Sequence, residues 1–295
     1  MAKKDKRTKK IVYLHFPIFE TMEIEKTVSI LKENIKIESV SLNRAVTVDF
    51  YLPPYAASTD APSLLLINDG QDMDQLGLET ILSDLYRSKS IQSLFCVGIH
   101  AGVNRKMEYG TAAMPDYKGR GNKAKNYTAF IFEELIPYIR SNYYKQGFRE
   151  KAFAGFSLGG LSALDIVWNH PFEFSKVGVF SGSLWWRTKD KNDKTYNDAT
   201  DRIMHQQIRR GGYYPWLNFF FECGAADEEG DRNSNGIIDS IDDTVDLIKE
   251  LAAKGYNENS DIYYMQLDDG KHDIATWARA MPEFLKWGWG SEDHK

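Results

Sequence analysis

The sequence is poor in cysteine, since only Cys96 and Cys223 occur among its 295 residues. Each lies in an apolar run that is typical of a strand, so we expect two buried free thiols rather than a disulfide. A disulfide framework of the kind that holds small secreted domains together is therefore excluded, and this fits a reducing compartment.

The sequence also lacks an excess of positive charge and any long hydrophobic run. The formal net charge is −5, with 42% hydrophobic and 27% charged residues, a balance typical of a soluble globular protein. The basic residues form no long stripe interleaved with aromatics, so we expect no nucleic-acid partner. No stretch reaches the length of a transmembrane helix, so we expect no membrane partner either.

The N-terminal residues 1–10 are strongly basic and are predicted to form a mobile arm. Residues 11–19 are apolar and could imitate the core of a signal peptide, but His15 and Pro17 interrupt them and no small-residue cleavage site follows. We therefore expect a cytoplasmic protein, with a periplasmic or secreted location as the alternative. Residues 11–295 are predicted to form a single domain, because no internal repeat or low-complexity linker divides them.

Short, uninterrupted apolar runs recur along the chain and are typical of strands that are buried on both faces of a parallel sheet. The predicted strands are residues 63–68, 94–99, 152–156, 177–180, 217–223 and 262–267. The predicted helices are residues 76–87, 126–144, 158–168, 198–210, 242–254 and 274–287. Residues 40–52 alternate loosely before Pro53 and are predicted to form edge strands. Strands that alternate with helices predict an α/β fold, with a mostly parallel central sheet flanked by helices.

A Gly-x-Ser-x-Gly pattern, Gly155-Phe156-Ser157-Leu158-Gly159, stands between a predicted strand and a predicted helix. Strand, sharp turn and helix in that order indicate a nucleophile elbow with Ser157 at its tip. Glycine is expected on both sides of the serine, where a β-carbon would crowd the turn. The pattern is weak by itself, because glycine and serine are common in turns.

A serine hydroxyl needs a base to activate it, and the base needs a carboxylate to orient it. After such an elbow the acid and then the histidine follow, each behind a strand. His272 follows the strand at 262–267 and is predicted to be the general base, with a structural loop histidine as the alternative. Asp227, the first acid after the strand at 217–223, is predicted to orient it. The neighbouring acids that leave this choice open are Glu222, Glu228, Glu229 and Asp231.

The oxyanion of an acyl-transfer intermediate needs backbone donors beside the nucleophile. The first predicted donor is the amide of Leu158, directly after Ser157. The second is the amide of Gln71, in the loop after the strand at 63–68, where Gly70 permits a close approach. The alternative is that Asn68-Asp69-Gly70 is only a turn.

The ordered set of motifs resembles the esterase D family, which includes enterochelin-type siderophore esterases and the feruloyl and acetyl esterases of carbohydrate esterase family 1. The matching motifs are Asn68-Asp69-Gly70-Gln71, Val97-Gly98-Ile99-His100, Asn104-Arg105, Glu133-Glu134-Leu135-Ile136-Pro137, Gly155-Phe156-Ser157-Leu158-Gly159-Gly160, Phe180-Ser181-Gly182-Ser183-Leu184-Trp185-Trp186 and Gly270-Lys271-His272-Asp273. The resemblance implies an α/β-hydrolase fold and hydrolysis of carboxylic esters through an acyl-enzyme, with no cofactor in catalysis.

The resemblance does not choose the substrate. We expect a siderophore-type or other small ester, with a feruloyl or acetyl ester of a polysaccharide fragment as the alternative. Trp185 and Trp186 follow a strand on the sheet edge where ligands bind, so they are predicted to contact substrate, with core packing as the alternative. Arg105 is predicted to line the cleft entrance. A non-catalytic binding or docking protein is the alternative from another class.

An acidic insertion at residues 231–242 departs from the family pattern and fits a calcium loop. Oxygen-bearing side chains fall at its first, third, fifth, ninth and twelfth positions, and glycine at its sixth. Aspartate at the twelfth position resembles the loops of dockerin modules. The predicted ligands are Asp231, Asn233, Asn235, the carbonyl of Ile237, Asp239 and Asp242. Such a metal would be structural and would pin the loop that presents Asp227; the alternative is a solvated acidic loop.

Overall fold

The computed structural model describes residues 29–54 and 61–291. The predicted N-terminal arm at 1–10 and the apolar segment at 11–19 lie outside the described residues. The strands are β1 (Leu31–Ser39), β2 (Arg44–Leu52), β3 (Ser63–Asn68), β4 (Leu94–Ile99), β5 (Lys151–Phe156), β6 (Lys176–Phe180), β7 (Asn218–Ala226) and β8 (Ile262–Lys271). They form one eight-stranded sheet in the order β1-β2-β4-β3-β5-β6-β7-β8. β2 is antiparallel to β1 and to β4, and the other neighbouring pairs are parallel.

Helices fill the connections between the strands. They are α1 (Met73–Leu76), α2 (Leu78–Arg87), α3 (Arg105–Glu108), α4 (Ala124–Ala129), α5 (Ile136–Asn142), α6 (Leu158–Asn169), α7 (Asp198–Asp201), α8 (Ile203–Arg210), α9 (Asp239–Lys254) and α10 (Ile274–Trp289). A 3₁₀ turn, Gly70–Asp72, precedes α1, and a π-helical segment, Phe130–Leu135, joins α4 to α5. Among the described residues, no helix combines the length and apolar character that crossing a membrane requires.

Most of the predicted strands and helices are confirmed. The prediction of edge strands over 40–52 was wrong, because β2 (Arg44–Leu52) pairs with both β1 and β4 and lies inside the sheet. The helix predicted over 76–87 is divided at Gly77.

β1 was not predicted, because charged and polar residues separate its three apolar ones and leave no uninterrupted apolar run. Such a composition is typical of an edge strand. The helix predicted over 126–144 contains the π-helical segment just before Pro137, which has no N–H to continue the α-helical ladder. The helix predicted over 198–210 breaks at Arg202, whose backbone is extended and bridges Arg187.

Apolar side chains cover both faces of the sheet, as the uninterrupted runs predict. In β3, Leu64 and Leu66 face the cluster formed with α4–α6, α8 and α9, whereas Leu65 and Ile67 face the cluster formed with α1, α2 and α10. Cys96 and Cys223 are both buried and free, as predicted. Because β3, β5, β6, β7 and β8 run parallel, their carboxyl ends lie at the same edge of the sheet, and the predicted catalytic residues lie at that edge.

Candidate active site

Ser157 stands in a strained turn between β5 and α6, as the elbow pattern predicts. Its backbone has φ 54° and ψ −119°, a conformation that is rare for a residue with a side chain. A β-carbon on Gly155 would overlap the backbone of Gly159, and one on Gly159 would lie 2.7 Å from Oδ2 of Asp69. Close backbone approach therefore requires glycine at position 155, and the packing of the Asp69 and Asn68 side chains favours glycine at position 159.

Backbone hydrogen bonds from the neighbouring strand hold the elbow in place. The amide of Ser157 donates to the carbonyl of Phe180 at 2.8 Å, and the amide of Ser183 donates to the carbonyl of Ser157 at 3.0 Å. The half-buried Ser157 hydroxyl lies 3.4 Å from the hydroxyl of Ser183. The loop after β6 thus fixes the main chain of Ser157 and gives its side chain a polar neighbour.

The two amides predicted as oxyanion donors both stand at the start of helical turns. Leu158 is the first residue of α6, and Gln71 lies in the 3₁₀ turn after β3. Among the described residues, neither amide has a hydrogen-bond acceptor, as expected for the first N–H groups of a helix. A β-carbon on Gly70 would overlap the backbone of Gly98, so glycine is needed for this loop to lie flat against β4.

Arg105 lies at the site but does not extend freely into the cleft. Its Nε and Nη2 donate to Oδ1 and Oδ2 of Asp69 at 2.6 and 2.7 Å. Its Nη2 also lies 3.4 Å from the carbonyl of Phe156, next to the nucleophile. Asp69 is buried, has φ 61° and, in the described part of the chain, pairs with no other cation. The guanidinium therefore joins the loop after β3 to the elbow, a role that the predicted substrate contact did not include.

The carboxyl ends of β7 and β8 come together because glycine replaces side chains at their contact. The α-carbon of Gly224 is 2.8 Å from the place where Gly270 would carry a β-carbon. Asp227 follows β7 and His272 follows β8, so the predicted acid and base are brought to neighbouring strand ends. Among the described residues, no hydrogen bond joins Ser157 to His272 or His272 to Asp227, and the His272 side chain is exposed.

For both His272 and Asp227, desolvation shifts the pKa toward the neutral form, and the charge of the other residue shifts it back. Desolvation lowers the pKa of His272 below its ordinary value, although Asp227 raises it and Arg105 lowers it further. Desolvation raises the pKa of Asp227, whereas the Ser181 hydroxyl and His272 lower it. A neutral imidazole at neutral pH is what a general base requires.

Trp277 and Ser181 support this part of the site and were not predicted to do so. The ring of Trp277 stands nearly perpendicular to that of His272, with centroids 5.4 Å apart. Its indole Nε1 donates to the Ser181 hydroxyl at 2.9 Å. The sequence could have predicted a place for Ser181 in the site, because it directly follows β6 and the other site residues also follow strand ends.

The two tryptophans predicted to contact substrate differ in their surroundings. Trp186 is completely buried and fills the space over Gly110 and Gly121, whose β-carbons would lie 2.7 and 2.8 Å from its ring. This corrects the predicted contact in favour of core packing. Trp185 is half-buried, and the guanidinium of Arg120 lies 4.7 Å from its ring centroid. The Trp185 ring is therefore accessible to a ligand, and its predicted contact with substrate stays a prediction.

The structure brings together some of the predicted calcium ligands but not all of them. The side-chain amides of Asn233 and Asn235 donate to Oδ2 of Asp242 at 2.8 and 2.9 Å, and the amide of Gly236 donates to Asp231 at 2.9 Å. The exposed Ile237 donates its amide to Asn235. The buried Asp239 instead faces Arg232 and Lys191. Within the described residues, no three His, Cys, Asp or Glu side chains converge as a metal site.

Residues 39–287 match the family model described as "Putative esterase". This match covers most of the sequence. The chain belongs to the Esterase family. The protein is therefore an esterase, and its sheet order and helices are those of an α/β-hydrolase fold.

Similar proteins agree with this assignment at the level of the fold. The chain is 22% identical over 255 residues to the uncharacterized protein YjcH of Bacillus subtilis strain 168, covering 85% of this chain and 94% of that protein. It is similar to the enterobactin esterase FES of Shigella flexneri, with 19% identity, a TM-score of 0.65 and 87% of this chain covered. It spans only 58% of that enzyme's length. A ferulic acid esterase matches with 17% identity and a TM-score of 0.65, over 88% of this chain and 98% of its own.

Proposed function

We propose that the protein hydrolyses carboxylic esters through an acyl-enzyme on Ser157, with His272 as general base and Asp227 as the acid that orients it. The observation that carries this proposal is the strained backbone of Ser157 between β5 and α6. The amides of Leu158 and Gln71 have no acceptor among the described residues, so both could donate to the oxygen of a carbonyl that the Ser157 hydroxyl attacks.

In the proposed reaction, His272 removes the proton of Ser157 as its oxygen attacks the ester carbonyl. The oxyanion accepts hydrogen bonds from Leu158 and Gln71, and collapse of the intermediate expels the alcohol, which takes the proton from His272. Water then attacks the acyl group while His272 accepts its proton, and as the bond between the acyl carbon and the Ser157 oxygen breaks, His272 returns the proton to Ser157 and the acid leaves. Because the His272 side chain is exposed and free of hydrogen bonds to Ser157, it must rotate toward the serine when substrate binds.

The proposed substrate is a siderophore-type or other small ester, and a feruloyl or acetyl ester of a polysaccharide fragment is the second candidate. The similarity to an enterobactin esterase supports the first and the similarity to a ferulic acid esterase supports the second. Trp185 supports either, because its half-buried ring could pack against an aryl or acyl group.

The test compares wild-type protein with Ser157→Ala on p-nitrophenyl acetate, methyl ferulate, acetyl-xylan and a catecholate siderophore ester. We expect kcat to fall by a factor on the order of 10⁴ or more in Ser157→Ala, because the nucleophile is lost. Ser183→Ala is the matched control, since it removes a neighbouring hydroxyl and should retain activity and fluorophosphonate labelling. Equal rates for wild type and Ser157→Ala, with no labelling of Ser157, would disprove the acyl-enzyme.

We also propose that residues 231–242 bind one structural calcium ion. The chemistry of the donors supports a hard cation, because Asp231, Asn233, Asn235 and Asp242 are linked by hydrogen bonds and carry oxygen ligands. Asp239 would contribute only if its ion pairs with Arg232 and Lys191 opened.

Calorimetric titration of chelator-treated protein tests this site. Calcium should bind and raise the melting temperature in the wild type but not in Asp231→Ala, while Asp269→Ala, an exposed acid outside the loop, should bind as the wild type does. Absence of calcium binding, with no loss of melting temperature on chelation, would rule it out.

A further inference from the structure

Glu222 is a buried carboxyl group directly behind the candidate active site. It lies in β7 opposite Phe180 of β6 and Met265 of β8, and its side chain has no exposed surface. Its Oε2 is 3.5 Å from the Ser181 hydroxyl, and its Oε1 has no hydrogen-bond partner among the described residues. A carboxylate with so few donors is strongly disfavoured in such a place, whereas a neutral acid is tolerated.

The groups that face Glu222 do not compensate a charge on it. The thiol of Cys223 lies on its own strand, Asp227 directly follows that strand, Tyr264 lies on β8, and Arg279 lies on α10. Arg279 is exposed and pairs with Asp269 at 2.7 Å, and burial raises the pKa values of Cys223 and Tyr264, so both stay neutral. Burial and then Asp227 raise the pKa of Glu222 to about 8, against a smaller opposing effect of Ser181.

The two carboxyl groups differ in what surrounds them. His272 and the amide of Gly224 favour the charged form of Asp227, whereas the charged form of Glu222 is favoured only by Ser181 and by the exposed Arg279. Glu222 is completely buried and Asp227 is half-buried, so repulsion between the two carboxylates favours a proton on Glu222. Both groups approach Ser181, whose hydroxyl accepts the indole N–H of Trp277 at 2.9 Å.

We propose that Glu222 is a positioning residue that, as a neutral acid, acts with Ser181 to keep the single negative charge on Asp227 and to hold Asp227 toward His272. The inference rests on the proposed function, because it gives Glu222 a role through Asp227. No substrate contact is involved. If Glu222 lost its proton, its carboxylate would compete with Asp227 for the Ser181 hydroxyl and repel Asp227 from its position.

The test uses Glu222→Gln, which retains the shape and hydrogen bonding of a neutral acid, and Glu222→Leu, which removes the hydrogen bonding. In wild type, kcat/KM should fall as the pH rises through about 8, and in Glu222→Gln this fall should be absent. At neutral pH, Glu222→Leu should lower kcat by about tenfold with little change in KM, and Glu222→Gln should restore it. An alkaline fall that is the same in wild type and Glu222→Gln, or full activity of Glu222→Leu, would overturn the proposal.

A second measurement does not depend on catalysis. Because the pKa of Glu222 is higher in the folded than in the unfolded chain, the folded state binds more protons, and wild-type stability should fall as the pH rises through the interval up to about 8. The melting temperature of Glu222→Gln relative to wild type should therefore increase with pH and level off above that interval. A constant difference would overturn the inference. Activity that is independent of Ser157 would instead refute the proposed function and leave this stability result standing.

Discussion

The proposed nucleophile side of the site, around Ser157, and its proposed acid–base side, around His272 and Asp227, are held in different ways. On the nucleophile side, Ser157 is held by backbone hydrogen bonds, by glycine contacts and by the Arg105–Asp69 pair. On the other side, His272 is exposed, and no hydrogen bond links it to Ser157 or Asp227 within the described residues. Ser157 is therefore held in position without substrate, whereas His272 has to move to reach Ser157.

This difference follows from what each half has to do. A nucleophile and its oxyanion donors act through fixed geometry, which a strained backbone between a strand and a helix supplies. A general base must approach the serine, then the leaving alcohol, then water, so a side chain on a strand end suits it. We therefore expect substitutions of the groups that hold Ser157 to reduce stability more than matched substitutions of exposed groups outside the strand contacts.

The largest expected effect is that of Gly155→Ala. Its β-carbon would overlap the backbone of Gly159, which cannot yield without moving the elbow, so we expect a loss of at least about 3 kcal/mol of unfolding free energy or no folded protein. Gly236→Ala in the acidic loop is the matched variant: its β-carbon has open space, and only its φ of 85° is unfavourable. We expect that variant to lose about 1 kcal/mol.

Urea denaturation followed by circular dichroism measures both variants. If Gly155→Ala is as stable as Gly236→Ala, the elbow is not held by backbone contact.

An intermediate effect is expected for Arg105→Met. It leaves Asp69 buried without its cation, so we expect a loss of roughly 2–4 kcal/mol and a lower kcat, because the oxyanion loop loses its link to the elbow. Arg279→Met is the control on the other side, since the partner of Arg279, Asp269, is exposed and the pair should contribute little. Thermal denaturation and steady-state kinetics measure both variants. Equal losses of stability in Arg105→Met and Arg279→Met would show that the Arg105–Asp69 pair does not hold the elbow.

The smallest expected effect concerns the protonation of His272. Desolvation lowers its pKa, so its imidazole should titrate below the ordinary value of about 6.5 in an NMR titration, and the acid limb of kcat/KM should follow it. Asp227→Asn removes the group that raises this pKa and should move the titration to lower pH, whereas Asp269→Asn should not. A midpoint at or above the ordinary value, or an increase in Asp227→Asn, would show that burial does not govern His272.

Local pattern predicted the strands of the core well and the edge poorly. The bounds of β3 and β4 are those predicted from their apolar runs, because strands buried on both faces must be apolar throughout. β1 escaped prediction because an edge strand needs no such run. β8 extends to Lys271, beyond its predicted end, since pairing with β7 keeps polar residues in the ladder. The elbow was predicted because its glycines and serine lie within five residues of the chain.

Side-chain destinations could not be predicted in the same way. Trp185 and Trp186 are adjacent in the sequence, yet only Trp186 is fully buried. Arg105, which was predicted to line the cleft, instead pairs with Asp69 after β3. Asp239, which was predicted to bind calcium, instead pairs with Arg232.

By itself, the sequence determined the fold class, the strained turn at Ser157 and the positions of Asp227 and His272 after two strand ends, because these depend on neighbouring residues and on where strands end. The tertiary structure alone decided which buried groups lie together: Arg105 with Asp69, and Glu222 with Ser181 and Asp227. The physical reason is that burial and charge pairing depend on distances across the sheet, and residues far apart in the chain set those distances.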